Sequence, residues 1–376
     1  MKFAFAAALA VHALIHLMGF VKAFGIAPLP QLALPITRPM GIVWLAATLL
    51  LLAADVALFT TPRWFWAVGG LGLVMSQVAI AGSWADAKYG IAANAVVLAG
   101  VIFSAFAWGP FGLRAEYQRL VGGLDALNAG DTRPITDDDL ASLPAPVQRY
   151  LRFAGVVGKP RPRGVHVRLV GRIRGAADEP WMSFVADQHT RFDPPRRYFW
   201  MDAKRGGLPV DVLHAYGADG ASMRVRLLSM VPLVDQSGPV LTRAETVTLL
   251  NEMAIYAPST LVDPSVTWRP IDDRTAEATF TNGPHTIRGV LVFDDDGALV
   301  DFWSDDRPSL AADGVTLQQQ RWSTPLRDYR QQGPFRLASR GEGRYAAPSG
   351  DYAYLELDSI EVRHDLPEAE PRVSPR

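Results

Sequence analysis

The stretch Thr242–Asp263, TRAETVTLLNEMAIYAPSTLVD, carries a long helix signal within a region that otherwise alternates like β-strands. Thr242 and Glu245 have the spacing of a capping box, and Pro258 ends the pattern. We therefore predict a helix over residues 242–257. A single helix among antiparallel strands lays its apolar face against the sheet, so it lines or fills the space that the sheet encloses. The apolar residues at helical spacing are Val247, Leu250, Met253, Ala254 and Ala257.

The residues on both sides of this helix alternate between apolar and polar with a period of two, as in Val165–Ile173, Met223–Leu227 and Thr286–Phe293. An antiparallel sheet of about ten or more such strands is too long to stay flat, so it curls into a barrel or half-barrel. We therefore predict an α+β domain over residues 161–365, a curved antiparallel β-sheet covered by the helix. Turn signals separate the strands at Gly217–Gly220, Asn282-Gly283, Asp295–Gly297, Asp313-Gly314 and Ser349-Gly350.

The first 112 residues contain four apolar segments, each close to the length of about 20 residues that a helix needs to cross a bilayer. We predict that they form an α-helical membrane domain with four transmembrane helices, so the chain is an integral membrane protein. Basic residues are too evenly spread over the connecting loops to decide which side of the membrane holds the rest of the chain. The four segments are Phe3–Phe24, Gly41–Thr60, Trp64–Ser83 and Ile91–Trp108.

Residues 113–160 form a predicted helical connector between the two domains, with a turn-rich break over 128–134. Thr136–Asp139 starts a short helix with acidic residues at its positive end, and Pro144–Phe153 makes another. Residues 366–376 are rich in Pro, Glu and Arg, a composition typical of a disordered tail.

Composition excludes several classes of function. The 37 basic and 38 acidic side chains nearly cancel, so bulk charge does not favour nucleic acid as a partner. The chain has no cysteine, which excludes disulfides, thiolate catalysis and thiolate metal sites. The sequence lacks a nucleophile elbow, a phosphate loop and a dinucleotide fingerprint, and the histidines of the C-terminal domain have no metal-ligand spacing. We expect neither a metal nor a cofactor.

Polar residues inside a membrane span cost free energy, so those in the predicted spans are candidates for a functional role. His12 and His16 share one helix face, Gln77 and Asn94 fall at a similar depth, and Asp55 lies near His12. One hypothesis is a metal, haem or proton site. The other, which we favour, is a layer of interhelical hydrogen bonds worth about 1 kcal/mol each.

Glu252, Asp305, Asp306 and Arg307 are the candidate catalytic residues. Paired carboxylates can serve acid–base chemistry, and the guanidinium can hold a phosphate or carboxylate. The alternative is a strand end where Arg307 pairs locally with an Asp. Glu252, at the flank of the helix, is either a buried general acid or a solvated side chain, and we favour the solvated one.

Large apolar side chains of the C-terminal domain either line a ligand pocket or fill an ordinary core. Strand alternation puts neighbouring residues such as Phe302 and Trp303 on opposite faces, so only some of them point towards the helix. The pocket candidates are Leu250, Met253, Ala257, Trp268, Phe280, Trp303 and Trp322.

Several segments resemble an uncharacterised bacterial family of membrane-linked proteins known only as a domain of unknown function. The resemblance implies no activity, but it implies a four-span unit in the bacterial inner membrane. The architecture also resembles, more loosely, the half-barrel carriers that shuttle lipoproteins or lipids between bacterial membranes, which hold acyl chains in a helix-covered concave sheet. The family resemblance rests on LLNEMAIYAPSTLVDPSVTW (249–268), ATFTNGPHTIRG (278–289), LVDFWSDDR (299–307), RWSTPLRDYR (321–330) and GDYAYLELD (350–358), and in the first third on HALIHLMGFVKAFG (12–25) and SWADAKYG (83–90).

These observations favour a membrane-anchored binding protein whose curved sheet holds a lipid or another hydrophobic ligand. Its partners are then membrane lipids and a hydrophobic small molecule, and the sequence identifies no protein partner. One alternative is a hydrolase-like enzyme, which requires the candidate catalytic residues to converge. Another is an interaction module that binds a protein through the sheet's edge or face. A cavity between helix and sheet would favour the first hypothesis.

Overall fold

The structure is a computed structural model that describes residues 2–124, 133–310, 316–347 and 350–366. The predicted break over 128–134, the turns at Asp313-Gly314 and Ser349-Gly350 and the predicted tail therefore lie wholly or partly outside the described residues. The chain divides into two compact units. One comprises Met1–Glu116 with Leu228–Met230, and the other comprises Tyr117–Leu227 with Val231–Arg376.

Four helices of the first unit are long and apolar enough to cross a membrane: α1 (Lys2–Ala23), α2 (Arg38–Thr60), α3 (Pro62–Gly82) and α5 (Gly90–Ala107). They match the four predicted segments, with ends that differ by a few residues. Gly19 of α1 packs closely on α2, because a Cβ at this position would lie 2.1 Å from the Trp44 ring. Small residues commonly allow such close helix packing. The shorter helices of the chain are α4 (Trp84–Ala87), α6 (Leu113–Gly122), α7 (Asp137–Leu140) and α8 (Ala145–Phe153).

The second unit consists mainly of antiparallel strands and one long helix, α9 (Pro239–Tyr256). Thr136 and Asp139 form a capping box at the start of α7, where an acidic helix start was predicted. The strands are β1 (Gly164–Ile173), β2 (Met182–Phe192), β3 (Pro195–Arg205), β4 (Leu208–Gly217), β5 (Gly220–Leu227), β6 (Val231–Ser237), β7 (Val266–Asp272), β8 (Thr275–Asn282), β9 (His285–Phe293), β10 (Leu299–Ser304), β11 (Ser309–Leu310), β12 (Leu317–Gln318), β13 (Arg321–Ser323), β14 (Leu326–Gln332), β15 (Phe335–Ala347) and β16 (Gly350–Asp365).

Fourteen of these strands form one sheet, in the order β6-β5-β4-β3-β2-β1-β16-β15-β13-β10-β9-β8-β7, with β14 also paired to β15. The sheet is curved and unclosed, so its two edge strands are β6 and β7. Helix α9 follows β6 and precedes β7, so it connects the two edges of the sheet. It contacts β5 and β6 near one edge and β9, β10 and β15 further along. These observations confirm the predicted fold class, a curved antiparallel half-barrel with a helix.

Helix α9 is buried along nearly its whole length, from Ala244 to Tyr256. The capping-box prediction for Thr242 was wrong, because the helix begins at Pro239 and Thr242 lies in its first turns. The Thr242 hydroxyl instead donates to Gly238 O at 2.9 Å and accepts from Ala221 N at 2.9 Å. Side chains from outside the helix satisfy its last carbonyls, which otherwise lack partners. Tyr150 donates to Ala254 O at 2.6 Å.

Candidate functional site

Charged cluster beside the central helix

The interior of the second unit contains a buried cluster of charges between α9 and the sheet. Arg197 of β3 donates from Nε to both carboxylate oxygens of Glu252 at 2.8 Å, and from Nη1 to Glu245 Oε2 at 2.9 Å. Glu245 and Glu252 lie seven residues apart on α9, two helical turns, so one side of the helix carries both. Gln188 of β2 accepts from Arg197 Nη2 at 3.1 Å and donates to Glu252 Oε2 at 2.7 Å.

A second arginine lies near the same cluster. Arg307 Nη2 is 3.9 Å from Glu245 Oε1, and Arg307 Nε donates to the Thr248 hydroxyl at 2.9 Å. Its guanidinium also donates to Tyr345 at 2.5 Å and lies 4.4 Å from the centre of the Trp322 ring. Two arginines therefore balance two glutamates, and each of these four charges has several partners.

Burial and charge pairing determine the protonation of these groups. Burial opposes ionisation of Glu245, but Arg197, together with His214 and Arg307, outweighs it and lowers the pKa of this carboxyl to about 2. Burial raises the pKa of Glu252, because the cost of desolvation exceeds the stabilisation that Arg197 provides. The two carboxylates in turn raise the pKa of Arg197 despite its burial, so the guanidinium stays charged.

The cluster corrects our interpretation of Glu252 as a solvated side chain. Glu252 is 5% exposed. The buried Arg197 provides the counter-charge that offsets the desolvation cost of the Glu252 carboxylate. Because its carboxylate already accepts from Arg197 and Gln188, it is held in one position rather than left available as a general acid. The arrangement is that of a structural ion-pair network.

Cleft at the end of the sheet

A cleft of about 310 Å³ also lies in the second unit and is lined in part by α9. Its size is at the lower end of the range of about 300–1,000 Å³ that is usual for small-molecule pockets. Leu249 and Met253 of α9 contribute to its wall, together with Phe192 at the end of β2 and Phe280 near the end of β8. The other lining residues are Arg161, Pro162, Arg163, Asp193, Pro195, Thr260, Asp263, Ser265, Thr281 and Asn282.

Ion pairs occupy part of the cleft wall. Arg161 Nη1 lies 3.3 Å from Asp263 Oδ2, and Arg163 Nη2 lies 2.9 Å from Asp365 Oδ1. Asp365 also accepts from Arg191 at 2.5 Å. The cleft thus combines apolar side chains from the helix and strands with arginines from the segment before β1, a mixture that suits an amphipathic ligand.

Positions of the predicted residues

The structure divides the predicted pocket residues into two groups. All four of Met253, Phe280, Leu250 and Ala257 are buried, but only Met253 and Phe280 also line the cleft. The three tryptophans make contacts elsewhere. Trp268 donates to Leu261 O at 3.3 Å, Trp322 donates to the Tyr354 hydroxyl at 3.1 Å, and Trp303 lies against Arg321, whose guanidinium is 3.9 Å from its ring centre.

The candidate catalytic residues contact different partners. Asp305 is exposed and pairs with Arg321 at 3.0 Å. Asp306 pairs with Arg243 at 2.8 Å and accepts from Arg288 N at 2.8 Å. Arg307 points to the charged cluster. The side chains of Asp305, Asp306 and Arg307 therefore contact three different sets of partners. The convergence that the hydrolase-like hypothesis requires is not found in these contacts.

Sequence reasoning missed Arg161, Phe192 and Leu249 in the cleft and Arg197 in the cluster. A signal for Arg197 existed, because an arginine in a strand between buried positions requires an internal counter-charge. The cleft residues come from distant segments of the chain, and only a folded structure brings them together.

In the first unit, the predicted polar residues form a hydrogen-bonded layer that joins α1, α3 and α5. His12 Nε2 and Asn94 Oδ1 are 2.9 Å apart, and the Ser76 hydroxyl donates to Asn94 Oδ1 at 2.7 Å. Asn94 donates to Gln77 Oε1 at 3.1 Å, and His16 Nδ1 lies 2.9 Å from His12 O. This arrangement is that of the favoured interhelical interpretation, with Ser76 as a member that the sequence did not indicate.

Asp55 does not join this layer, and its Oδ1 is buried without a hydrogen-bond partner among the described residues. The part of the chain that the structure describes contains no group of three or more His, Cys, Asp or Glu side chains placed to hold a metal ion.

Comparison with known proteins

A family model described as a family of unknown function, DUF6544, matches residues 133–357. This range contains four of the five C-terminal segments on which the resemblance to an uncharacterised family rested and all but the last residue of the fifth, and it confirms that resemblance. No curated protein matches the chain. Among solved structures, the chain is similar to the crystal structure of a LolA superfamily protein from Nitrosomonas europaea, with 12% sequence identity and a TM-score of 0.32 over 59% of this chain and 93% of that chain.

Proposed function

We propose a function for this chain, which belongs to the family of unknown function DUF6544: it is a membrane-anchored binding protein whose curved sheet holds a lipid or another hydrophobic ligand. The observation that carries this proposal is the cleft beside α9, with Leu249, Met253, Phe192 and Phe280 in its wall. Burial of a ligand's apolar part there yields about 0.8 kcal/mol per methylene group.

The four apolar helices support the anchoring part of the proposal. Each is long enough to cross a bilayer, and the second unit begins at Tyr117, shortly after α5 ends at Ala107. Even fully extended, a chain spans at most about 3.5 Å per residue, so this short connection tethers the binding unit to the membrane. Lipids of the bacterial inner membrane are then the nearest source of hydrophobic ligands.

The test uses the full-length chain in lipid nanodiscs and a fatty acid that carries a photoreactive group at the end of its acyl chain. After illumination, mass spectrometry locates the labelled peptides. We expect labelling of α9 and of the segment around Phe192, in addition to labelling of the four apolar helices, which are exposed to lipid in any case.

Met253→Trp and Met253→Leu form a matched pair for this experiment. The indole occupies the cleft and displaces about two methylene groups of ligand, which corresponds to an approximately tenfold loss of binding. Leu conserves the volume of Met, so labelling of the second unit persists. Labelling confined to the apolar helices, or unaffected by Met253→Trp, would contradict the proposed function.

A further inference from the structure

Arg161 uses only a small part of its hydrogen-bonding capacity at the cleft. A guanidinium has five N–H donors arranged in a planar fork. Within the described part of the chain, the hydrogen bond of this side chain is a long one, from Nη1 to Asp263 Oδ2 at 3.3 Å. Its Nε is buried without an acceptor there. An unsatisfied buried donor costs free energy, so a further hydrogen-bond acceptor beside this guanidinium would be stabilising.

Asp263 does not depend on Arg161 for its own position. Its Oδ1 accepts from the Ser265 amide at 2.9 Å and from the Ser265 hydroxyl at 2.7 Å. The Nε of the neighbouring Arg163 is also buried without an acceptor among the described residues, but its Nη2 pairs more closely, with Asp365 Oδ1 at 2.9 Å. Arg161 is therefore the arginine of the cleft that can turn to another oxygen ligand at the lowest cost.

We propose that Arg161 binds the anionic group of an amphiphilic ligand, a carboxylate or a phosphate, while the apolar part of the ligand lies against Leu249 and Met253. This inference rests on the proposed function and names its ligand class. The guanidinium fork matches the geometry of both anions and forms short charge-assisted hydrogen bonds with either. Two carboxylates at the same cleft, the exposed Asp193 and the Asp263 side chain at 42% exposure, would repel an anion, and contact with solvent weakens that repulsion.

Competition against the photoreactive fatty acid, on the full-length chain in nanodiscs, tests the ligand class. The three competitors share a dodecyl chain and differ in the head: dodecanol, dodecanoate and dodecyl phosphate. We expect the better anion to compete about tenfold more strongly than the alcohol, as one charge-assisted hydrogen bond requires. The stronger of the two anions indicates whether a free fatty acid or a phosphate-bearing lipid is the source of the head group.

Arg161→Gln and Asp263→Asn provide matched variants, because both remove the same ion pair and carry its structural cost in common. Arg161→Gln is expected to reduce the potency of the anionic competitors about tenfold, to that of dodecanol, and to leave dodecanol unchanged. Asp263→Asn is expected to keep or increase the potency of the anions, because it releases the guanidinium. Comparison of the same competitor across variants removes differences in its partition into the nanodisc.

The outcomes separate this inference from the proposed function. If all three competitors displace the fatty acid equally well, the role of Arg161 is wrong and the hydrophobic site stands. If the two variants lose anion potency equally, Arg161 has only a structural role. If no competitor displaces the fatty acid from the second unit, both the inference and the proposed function fail.

Discussion

Helix α9 has two contrasting surroundings in the same half-barrel. At Glu245 and Glu252 the interior is polar, and both carboxylates pair with Arg197. At Leu249 and Met253 the interior is apolar and leaves a cleft of about 310 Å³. Chemistry alone would suggest that the charged side is the active one. We propose the opposite, because paired charges fix the helix whereas unfilled space beside apolar side chains can accept a ligand.

The largest expected effect comes from breaking the charged side. Arg197→Met removes the counter-charge of the buried Glu252 and the nearer of the two arginines beside Glu245, so we expect a loss of about 3–5 kcal/mol in the free energy of unfolding of the second unit. Hydrogen exchange of the α9 amides in the full-length protein measures this loss locally. Arg269→Met is the control, since Arg269 pairs with Glu277 at the surface and its side chain is 64% exposed.

The control variant is expected to lose less than about 1 kcal/mol, as exposed ion pairs do. Equal protection of α9 in both variants would mean that the cluster adds nothing to the stability of the helix. The charged cluster would then not be what holds α9 in place, and its contrast with the cleft would have no physical basis.

The sequence predicted the helix and the curved sheet because periodicity is a local property that burial imposes on each segment separately. It did not predict the environment of Glu252. A polar residue on a helix flank normally faces solvent, and the exception depends on Arg197, which lies on a strand some fifty residues earlier. Pairing between distant polar residues leaves no periodic signal. Reasoning from the sequence alone therefore favoured a solvated Glu252, which was wrong.

The cleft was predictable only in part. Met253 and Phe280 were among the pocket candidates because they are large, apolar and on elements that must face each other. Arg161 was not, because its segment precedes the first strand and has no periodic pattern. Phe192 and Leu249 are indistinguishable in sequence from core residues, and which apolar side chains border empty space is decided by packing over the whole half-barrel.

A pH titration measures how much the ion pairs of Glu245 contribute to the stability of the second unit. Pairing lowers the pKa of Glu245 from 4.5 to about 2, so its ionised form favours the folded state. This contribution is fully present above pH 4.5 and is lost as the pH falls towards 2. We therefore expect the stability difference between the native chain and Glu245→Gln to shrink by about 2 kcal/mol between pH 6 and pH 3.

Hydrogen exchange of the α9 amides, corrected for the intrinsic effect of pH on exchange rates, measures this difference. A gap between the two proteins that stays constant down to pH 3 would show that Glu245 gains nothing on folding from its positively charged neighbours, Arg197 included. Glu252 would then have to be the main partner of Arg197.

The smallest expected effect concerns two neighbouring leucines of α9, one beside the cleft and one in the packed apolar core. Leu250 packs against the sheet, where its Cδ2 lies 3.3 Å from the position that a Cβ on Gly289 would occupy. Leu249 borders the cleft. We expect Leu250→Phe to destabilise the second unit by about 1–3 kcal/mol, because a packed interior resists added volume.

The same substitution at Leu249 is expected to cost less than about 0.5 kcal/mol, because the added ring enters existing space. Leu249→Phe is also expected to reduce fatty-acid labelling of the second unit, whereas Leu250→Phe leaves the cleft lining intact. Urea titration with hydrogen exchange at α9 gives both stabilities. Equal costs at the two positions would mean that the cleft closes around α9 in solution, and a closed cleft leaves no room for the ligand that we propose.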